Sequence, residues 1–538
     1  MLTLLSVGLA SAQQASVRSG LLQRSIQRSS AVLNMQEQSL CNPALRFYVW
    51  DFSHTQMEAG ISDYREDEAV VQQLGDGRKQ YGLNISSLLT PAPNSRAWGD
   101  VYYDYVDRKG INMNLSSDYD RIYPYITADT LGPAGLKAET YSFAGGYARQ
   151  YGNRYLFGIS ASTRNLQEYR QKDPRPRTRV SDIDIMLGGG YKLPVGYALG
   201  LSAGFASYKQ ANSVTMLSNE ALKISTPFYS MTGLGTALSM ANNETSFTYA
   251  GRTWTAALDA YPTQQRGWIA HIGYSFDDMD KTIGILSGSA SSMNTADQQK
   301  GSPINDILTM QEDRWQARLG WMDHADLHKW SVQAAYAYRH RIGSEILLAS
   351  TLQENAAIAT NLTNMGMQPY YQEDITQWRL DAVYEKGGGR RWHVKPYIGY
   401  HTNSTGYYDP VRSLRYERLS YGAEFGLSRL YKQHLLQLIV AGGYDRALSS
   451  DIDISNVFEE IDPNSTLSYG WLNRFGSAVE MANYRFLSTD NSYIKASARW
   501  EWQLFSNKSL FLQPTYQQGW YTDKIKSSYW QVKVGMVL

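Results

Sequence analysis

The 538-residue chain contains one cysteine, Cys41, so a disulfide framework within a single molecule is excluded. Neither charge is in excess, because 51 basic residues are balanced by 50 acidic ones, and this balance gives no reason to expect a nucleic-acid partner. After residue 12 there is no run of about 18 uninterrupted apolar residues, which argues against a transmembrane helix. A disulfide-rich scaffold, a nucleic-acid-binding domain and a helical membrane protein are therefore disfavoured.

Motifs that carry chemistry are also scarce. The eight histidines are scattered, and none has a serine and an acidic partner at a spacing typical of a hydrolase. In "HADLH", His324 and His328 have a spacing found among metal ligands, but we expect a tight turn there rather than a helix, which favours a solvated turn. Asp451 and Asp453 occupy alternate positions, as ligands of a calcium loop do, but the other ligands of such a loop are missing from the sequence. We predict neither an enzyme nor a metal or cofactor site.

Aromatic and small residues are abundant, with 40 Tyr, 14 Trp and 44 Gly, and this composition favours strands. The stretch "RWQARLGWMDHADLHKWSVQAAYAY", residues 314–338, contains two alternating segments joined by a short turn. Because successive side chains of a strand point to opposite faces, each segment has one apolar face rich in aromatic rings and one face that is polar or small. The same alternation recurs at 377–401, at 494–504 and in the final residues, "YWQVKVGMVL".

The connections between these segments alternate between two lengths. Tight turns are predicted near residues 152, 194, 264, 328, 433 and 508, and long polar loops at 209–244, 281–304, 344–373 and 447–481. Short turns at one end and long loops at the other are typical of an outer-membrane barrel. The alternative is a large soluble sandwich or propeller. Trp and Tyr close to the tight turns favour the membrane protein, because such rings lie at the level of lipid headgroups.

The pattern over residues 45–538 resembles that of Gram-negative outer-membrane β-barrel proteins. The ending "WQVKVGMVL" is similar to the terminal strand that the barrel-assembly machinery recognises, with Leu538 where an aromatic residue is more frequent. The chain also resembles uncharacterised barrel families of the Bacteroidota, whose genes can accompany TonB-dependent receptors. The resemblance implies residence in the outer membrane, with lipid and the assembly machinery as partners, and a TonB-dependent receptor or a surface lipoprotein as a further partner.

We therefore predict an all-β fold, a transmembrane antiparallel up-and-down β-barrel with short periplasmic turns and long extracellular loops. Counting alternating segments gives about 18 strands, with 14 and 16 as alternatives, since an even number is expected when both chain ends are periplasmic. The last strand is expected to pair with the first, near residues 53–64, because closure removes both sheet edges. Such a barrel has a wide lumen, which must hold water, a folded-in loop or a plug.

Residues 1–12 are predicted to be a signal peptide ending in the small-x-small pattern Ala10-Ser11-Ala12, without the usual basic start, as in a truncated signal. Residues 13–44 form a predicted periplasmic segment in which Leu22, Ile26 and Leu33 lie roughly at helical spacing. This segment is either a helix or small plug in the barrel mouth or a disordered lead-in. The barrel is predicted to span 45–538, and loops 209–244 and 447–481 are the second set of plug candidates.

Two sets of wall residues follow from the alternation. The candidates for lining the lumen, where mixed charges set solute preference or brace the wall, are Arg314, Arg318, Arg379, Asp381, Lys395, Glu424, Arg499, Glu501 and Lys533. The candidates for the membrane interface are Trp315, Trp321, Trp330, Trp378, Trp392, Trp500, Trp502 and Trp530. A basic run, "KDPRPRTR" at 172–179, is predicted on an external loop, where it either binds lipopolysaccharide phosphates or an acidic ligand, or is simply solvated.

Three classes of function remain open. The first is a channel or accessory component for solute uptake through the polar lumen. The second is a non-conducting scaffold whose long loops bind a receptor, a lipoprotein or another surface ligand. The third is an outer-membrane hydrolase, which is disfavoured because no catalytic constellation is present in the sequence.

Overall fold

The computed structural model describes residues 20–538 apart from Thr130, 216–227, 240–244, 286–307, Asp326, 352–360, Gly389, 455–467 and Asp523. The predicted signal peptide, 1–12, lies outside the described residues. Numbered in chain order, the strands are β1 (His54–Glu66), β2 (Gly77–Ala92), β3 (Ser95–Ile111), β4 (Thr127–Asp129), β5 (Ala134–Tyr151), β6 (Tyr155–Tyr169), β7 (Arg175–Lys192), β8 (Tyr197–Thr215), β9 (Phe228–Gly233), β10 (Thr236–Ser239), β11 (Thr245–Pro262), β12 (Arg266–Ile285), β13 (Leu308–His324), β14 (His328–Thr351), β15 (Asn361–Lys386), β16 (Arg390–Tyr407), β17 (Arg412–Tyr431), β18 (His434–Asp453), β19 (Asn491–Phe505), β20 (Lys508–Tyr521) and β21 (Lys526–Val537).

The described helices are α1 (Leu21–Arg28), α2 (Ala31–Ser39), a short 3-10 helix (Leu45–Tyr48), α3 (Tyr119–Ile122) and α4 (Ser468–Leu487). Among the residues that the structure describes, no helix has the length and apolar content needed to cross a membrane. The helices belong instead to segments that fold inside a much larger sheet.

Eighteen strands form one antiparallel sheet in which each strand pairs with its neighbours along the barrel; of the strands in the described residues, only β4, β9 and β10 stand outside it. The sheet closes between its ends, where β1 pairs with β21 from Gln56 opposite Val537 to Glu66 opposite Ser527. Beyond that register Leu538 and Thr55 exchange backbone hydrogen bonds, with N···O distances of 2.8 and 3.4 Å. The all-β barrel, its 18 strands and the predicted seam are confirmed, and the alternatives of 14 and 16 strands are wrong.

The two ends of the barrel differ as predicted, with tight turns at one end and long connections at the other. The predicted loop bounds were too wide, however, because strands continue into all four of those segments. β14 and β15 are 24 and 26 residues long, well beyond the roughly 9–11 residues that a spanning strand needs. Loss of the apolar–polar alternation in these stretches therefore does not mark the end of backbone pairing.

Two layers of chain lie inside the barrel, one toward each end. At the tight-turn end, residues 20–53 pack on inward-facing wall residues and contribute to an apolar cluster that includes Leu45, Phe47 and Trp50. At the long-loop end, the β3–β5 connection, the three-stranded sheet β10–β9–β4 and α4 form a second layer. The second layer includes parts of both loops proposed as plugs, and the β3–β5 connection, which was not anticipated.

Candidate functional site

The outer surface of the barrel is apolar and carries most of the predicted interface tryptophans. Six of them are at least 37% exposed on the outward face, namely Trp315, Trp330, Trp378, Trp500, Trp502 and Trp530. Trp321 and Trp392 are only partly exposed, because neighbouring rings cover them: Trp268 lies 5.3 Å from Trp321, and Tyr384 lies 5.3 Å from Trp392, between ring centroids. All eight side chains share the outward parity of their strands, and their role at a membrane interface stays a prediction.

Outward rings lie at two levels on adjacent strands. On β12 and β13 the upper level is the pair Tyr274 and Trp315, with ring centroids 4.7 Å apart, and the lower level is the pair Trp268 and Trp321. Between them the outward positions are aliphatic, with Leu319 54% exposed. Six residues separate the two levels, which corresponds to about 20 Å along a strand. On these two strands an apolar band is therefore bounded by aromatic rings at both levels.

The inside of the wall is polar, and at the tight-turn end its charges hold the N-terminal segment. Ser25 of α1 donates a hydrogen bond to Glu501 (2.8 Å), a carboxylate that also accepts from Ser509 and forms an ion pair with Arg499 (2.8 Å). His54 lies 3.5 Å from the Ser25 hydroxyl. A catalytic triad needs its histidine between the serine and the acid, whereas here the serine binds the acid directly, so the contact serves attachment.

Helix α2 is attached through its first turn. The hydroxyl of Ser30, its N-cap residue, and the amide of Ala31 both donate to Glu385 on β15, at 2.9 and 3.0 Å. Arg391 on β16 forms an ion pair with the same carboxylate and donates to the carbonyl of Ile26 at the end of α1 (2.6 Å). One buried carboxylate therefore joins the two helices to two strands of the wall.

Glycines form a smooth cradle for residues 42–45. On three adjacent strands, Gly158, Gly188 and Gly200 face the lumen, and a Cβ added at any of them would overlap Asn42, Pro43, Ala44 or Leu45. At Gly158 the overlapping atoms belong to backbone, which cannot turn aside. The cradle requires these three positions to lack side chains, and it places the N-terminal segment against the wall opposite α1.

A thiol, an imidazole and a carboxylate also meet beside this segment. His271 on β12 is hydrogen-bonded to Asp259 on β11 (Nδ1···Oδ1, 2.8 Å), and it interacts with the side chain of Cys41. Both the imidazole and the carboxylate are buried. The sequence analysis did not find this cluster, because Cys41 is far from Asp259 and His271 in the sequence. The cluster holds Cys41 against the wall.

The other predicted lumen residues also face inward, and most are paired locally. Arg379 pairs with Asp381 (2.7 Å), Lys533 with Glu58 across the seam (2.8 Å), and Glu424 with His393 (3.2 Å). Arg314 forms an ion pair with Glu312, Arg318 donates to the carbonyl of Gln38 in the N-terminal segment, and Lys395 lies opposite Glu424 in the β16–β17 register. The structure brings Arg499 and Glu501 together with the segment, while the assignment of all nine to a solute path stays a prediction.

The layer at the long-loop end is fastened by buried charges. Asp118 pairs with Arg164 on β6 (2.7 Å), and Asp129 of β4 pairs with Arg170 (2.8 Å), with both side chains of the second pair almost fully buried. Lys281 on β12 is buried and donates to the carbonyl of Tyr125 (2.8 Å) and to the hydroxyl of Ser230 (2.5 Å). The β3–β5 connection is thus fixed to several strands and to the β9–β10 hairpin.

A cavity of about 660 Å³ lies beneath this layer, against the wall of β14–β20. Four of its charged lining residues form two ion pairs: Arg339 with Glu373 (2.8 Å), and Arg418 with Asp445 (3.1 Å). Arg341, which is fully buried, binds Glu312 and donates to the carbonyl of Tyr123 in the layer above. The cavity therefore combines ion pairs with apolar side chains such as Ile375 and Leu414, and its volume is in the range of small-molecule sites.

Helix α4 closes one side of the cavity with an acidic residue. Burial raises the pKa of Glu480 to about 7, although hydrogen bonds to Asn483 and Tyr123 and the charge of Arg412 act in the opposite direction. Burial and the neighbouring Glu480 raise the pKa of Tyr123 as well. Asn483 accepts from the amide of Gln72 (2.8 Å), so α4 is joined to the β1–β2 connection. Within the described residues, no group of three His, Cys, Asp or Glu side chains is arranged to hold a metal ion.

The sequence did not single out the charged residues that line this cavity. The arginines of β14 and the acids of β15 and β18 follow the inward parity of strands that the alternation had predicted, so parity was the available signal. Their selection among other inward polar residues depends on the position of the loop-end layer, which sequence spacing does not reveal.

A family model described as a family of unknown function (DUF6850) matches residues 43–538. No curated protein matches the chain in sequence. Among solved structures, the chain is similar to the ferric yersiniabactin uptake receptor FyuA from Yersinia pestis, with 8% identity, coverage of 91% of this chain and 80% of that one, and a TM-score of 0.41. It is also similar to the ferric-catecholate import receptor Fiu from E. coli K12, with 7% identity, coverage of 89% and 81%, and a TM-score of 0.36. A third similar structure is the copper transporter OprC, with 8% identity, coverage of 90% and 81%, and a TM-score of 0.38.

Proposed function

We propose that this chain, which belongs to the DUF6850 family, is an integral outer-membrane β-barrel for solute uptake whose lumen is closed at rest by its own N-terminal segment. The observation that carries the proposal is the combination of an apolar outer face with a polar inner wall that holds the N-terminal segment at one end and a cavity at the other. The proposal includes no catalytic step.

The outer face supports placement in a bilayer. In lipid every backbone polar group needs an internal partner, and a closed barrel provides this without edges. An apolar band between two levels of aromatic rings matches the hydrocarbon layer and its two interfaces. We place the tight turns in the periplasm and the long connections outside the cell, so that the N-terminal segment closes the periplasmic end.

The inner face supports gated rather than open uptake. Residues 20–53 contact wall strands on several sides of the lumen, from β19 and β20 through β15 to β6, β7 and β8. A solute in the 660 Å³ cavity would have to displace this segment to reach the periplasm. The attachment through Glu385 and Glu501 is polar, so it can be exchanged for water when the segment moves.

Channel recordings on the full chain test this proposal. We expect the native barrel to be closed, and the E385Q/E501Q double variant to show conductance steps, because both acceptors for the α1–α2 segment are weakened. The matched control is E417Q, since Glu417 lies on the outward face, where it accepts from Tyr400. The E417Q barrel should stay closed.

The filled lumen also favours the second candidate, a non-conducting scaffold that binds a TonB-dependent receptor or a surface lipoprotein. The two functions give different results in the same experiment. Trypsin cleavage after Arg46 reports whether the N-terminal segment has been released, independently of conductance. If the double variant releases the segment but conducts no current, uptake through the lumen is refuted and the scaffold is favoured.

A further inference from the structure

A row of cations crosses the outward face just above the apolar band on β7, β8 and β11. Its members are Arg177 and Arg179 on β7, Lys209 on β8 and Arg252 on β11, and all four are exposed. Two belong to the basic run noticed in the sequence, and the other two come from β8 and β11, which follow β7 in the order of the sheet but are separate from the run in the sequence. We refer to these four residues as the basic row.

The register of the three strands creates the row. Lys209 pairs with Ser181 on one side and with Ala250 on the other, so Arg179 and Arg252 are its diagonal neighbours. Diagonal neighbours on one face of a sheet are about 7–8 Å apart, and Arg177 follows Arg179 at about the same distance along β7. The four side chains therefore form a continuous basic strip.

The strip begins where the apolar band ends. Arg252 lies one outward position above Trp254, whose ring packs on Phe205 with 4.7 Å between centroids. Trp254 is 59% exposed, as expected of a side chain whose surroundings are lipid. The cations thus stand at the level where a bilayer presents its headgroups, on the side of the long loops.

The cations of the basic row have no ion-pair partner within the described structure. Across the part of the chain that the structure describes, none of its four members forms a salt bridge. Asp278, which lies opposite Arg252, accepts a hydrogen bond from Gln311 instead (3.4 Å). Arg175, from the same sequence run, differs because Asp173 pairs with it (3.0 Å). Unpaired arginines exposed beside lipid are suited to bidentate binding of phosphate oxygens.

We propose that the basic row is a binding site for the phosphate groups of a lipid in the outer leaflet. The inference rests on the proposed membrane location and adds a specific lipid contact on one face of the barrel. It also corrects the sequence expectation, because the phosphate-binding residues are part of the wall rather than of an external loop, and only half of them belong to the basic run.

Native mass spectrometry of the folded full chain, titrated with diphosphorylated lipid A or with the same lipid after removal of its phosphates, tests the inference. We expect the native protein to bind the phosphorylated form at least about tenfold more tightly, since each surface cation contributes to attraction of anionic headgroups. The R177Q/R179Q/K209Q/R252Q variant should lose this preference. The control R415Q/R446Q removes two other exposed outward arginines, on β17 and β18, and should keep it.

Heat-modifiable migration of every variant shows that its barrel is folded. Insertion into vesicles of neutral phosphatidylcholine tests the membrane location separately, so a failure there refutes the proposed function. If the barrel inserts but the native protein does not distinguish the two lipids, or if the fourfold variant keeps the native preference, the basic row is not a phosphate site and the inference alone is overturned.

Discussion

At the scale of single residues, the wall is shaped as much by missing side chains as by charged ones. Gly158, Gly188 and Gly200 leave room for residues 42–45, whereas Gly189, next along β7, points outward and has nothing within 4 Å of an added Cβ. Gly188 and Gly189, which are neighbours on β7, thus have different roles. Gly158, Gly188 and Gly200 determine where the N-terminal segment lies, and Gly189 does not.

The G158A variant should displace this segment. The new methyl group would overlap the backbone of Pro43 and Ala44, and overpacking of this kind typically costs about 1–3 kcal/mol. We expect trypsin to cleave after Arg46 several times faster than in the native protein, because Arg46 loses its position over Trp98. G189A is the control, and equal cleavage of the two variants would contradict the cradle.

At the scale of secondary-structure elements, α4 is a part of the loop-end layer whose attachment we expect to depend on pH. Its Glu480 has a folded-state pKa of about 7, above the ordinary value of 4.5, because burial disfavours the charged form. Between pH 4.5 and pH 7, Glu480 is therefore protonated in the folded state and ionised in the unfolded segment. Attachment of α4 is strongest below about pH 4.5 and weakens as pH rises to about 7, by at most about 3 kcal/mol.

Hydrogen exchange of the α4 amides, corrected for intrinsic exchange rates, measures this dependence. We expect protection factors to fall between pH 5 and pH 8 in the native protein and to change little in E480Q, which cannot ionise. The D490N variant is the control, because Asp490 follows α4 and is bonded to Tyr444 rather than buried beneath the helix. A native helix with the same protection at both pH values would rule out the role of Glu480.

The elements also show which local patterns were informative. Period-two alternation predicted the barrel strands because one face meets an apolar phase and the other a polar one. The ends of β14 and β15 were mispredicted because, beyond the apolar band, the sequence no longer alternates between apolar and polar residues, although strand pairing continues. The β3–β5 connection was not predicted as an inner layer, since its position depends on Lys281, Arg164 and Arg170, which lie on other strands.

At the scale of the whole molecule, the seam between β1 and β21 decides whether the sheet is a barrel. Without β21, β1 and β20 would both present unpaired backbone groups. We expect the native protein to migrate faster on gels when it is not boiled, and a variant lacking residues 529–538 to lose this heat-modifiable form. W530F should keep it, because the substitution leaves the strand and its register intact. A truncated chain that still migrates as a compact form would show that closure does not need β21.

The sequence by itself determined the class of the fold, the seam and the face on which each wall residue lies, and it indicated about 18 strands, a number that the structure then decided against 14 and 16. This was possible because alternation and turn length are local properties of the sequence. Alternation follows from the surroundings of each strand, which are apolar on one face and polar on the other. Only the tertiary structure decided how the lumen is filled. The cradle at Gly158, the joint at Glu385, the pairing of Arg339 with Glu373 and the basic row all unite residues from separate strands. Their meeting depends on the register and closure of the whole barrel, which no short stretch of sequence contains.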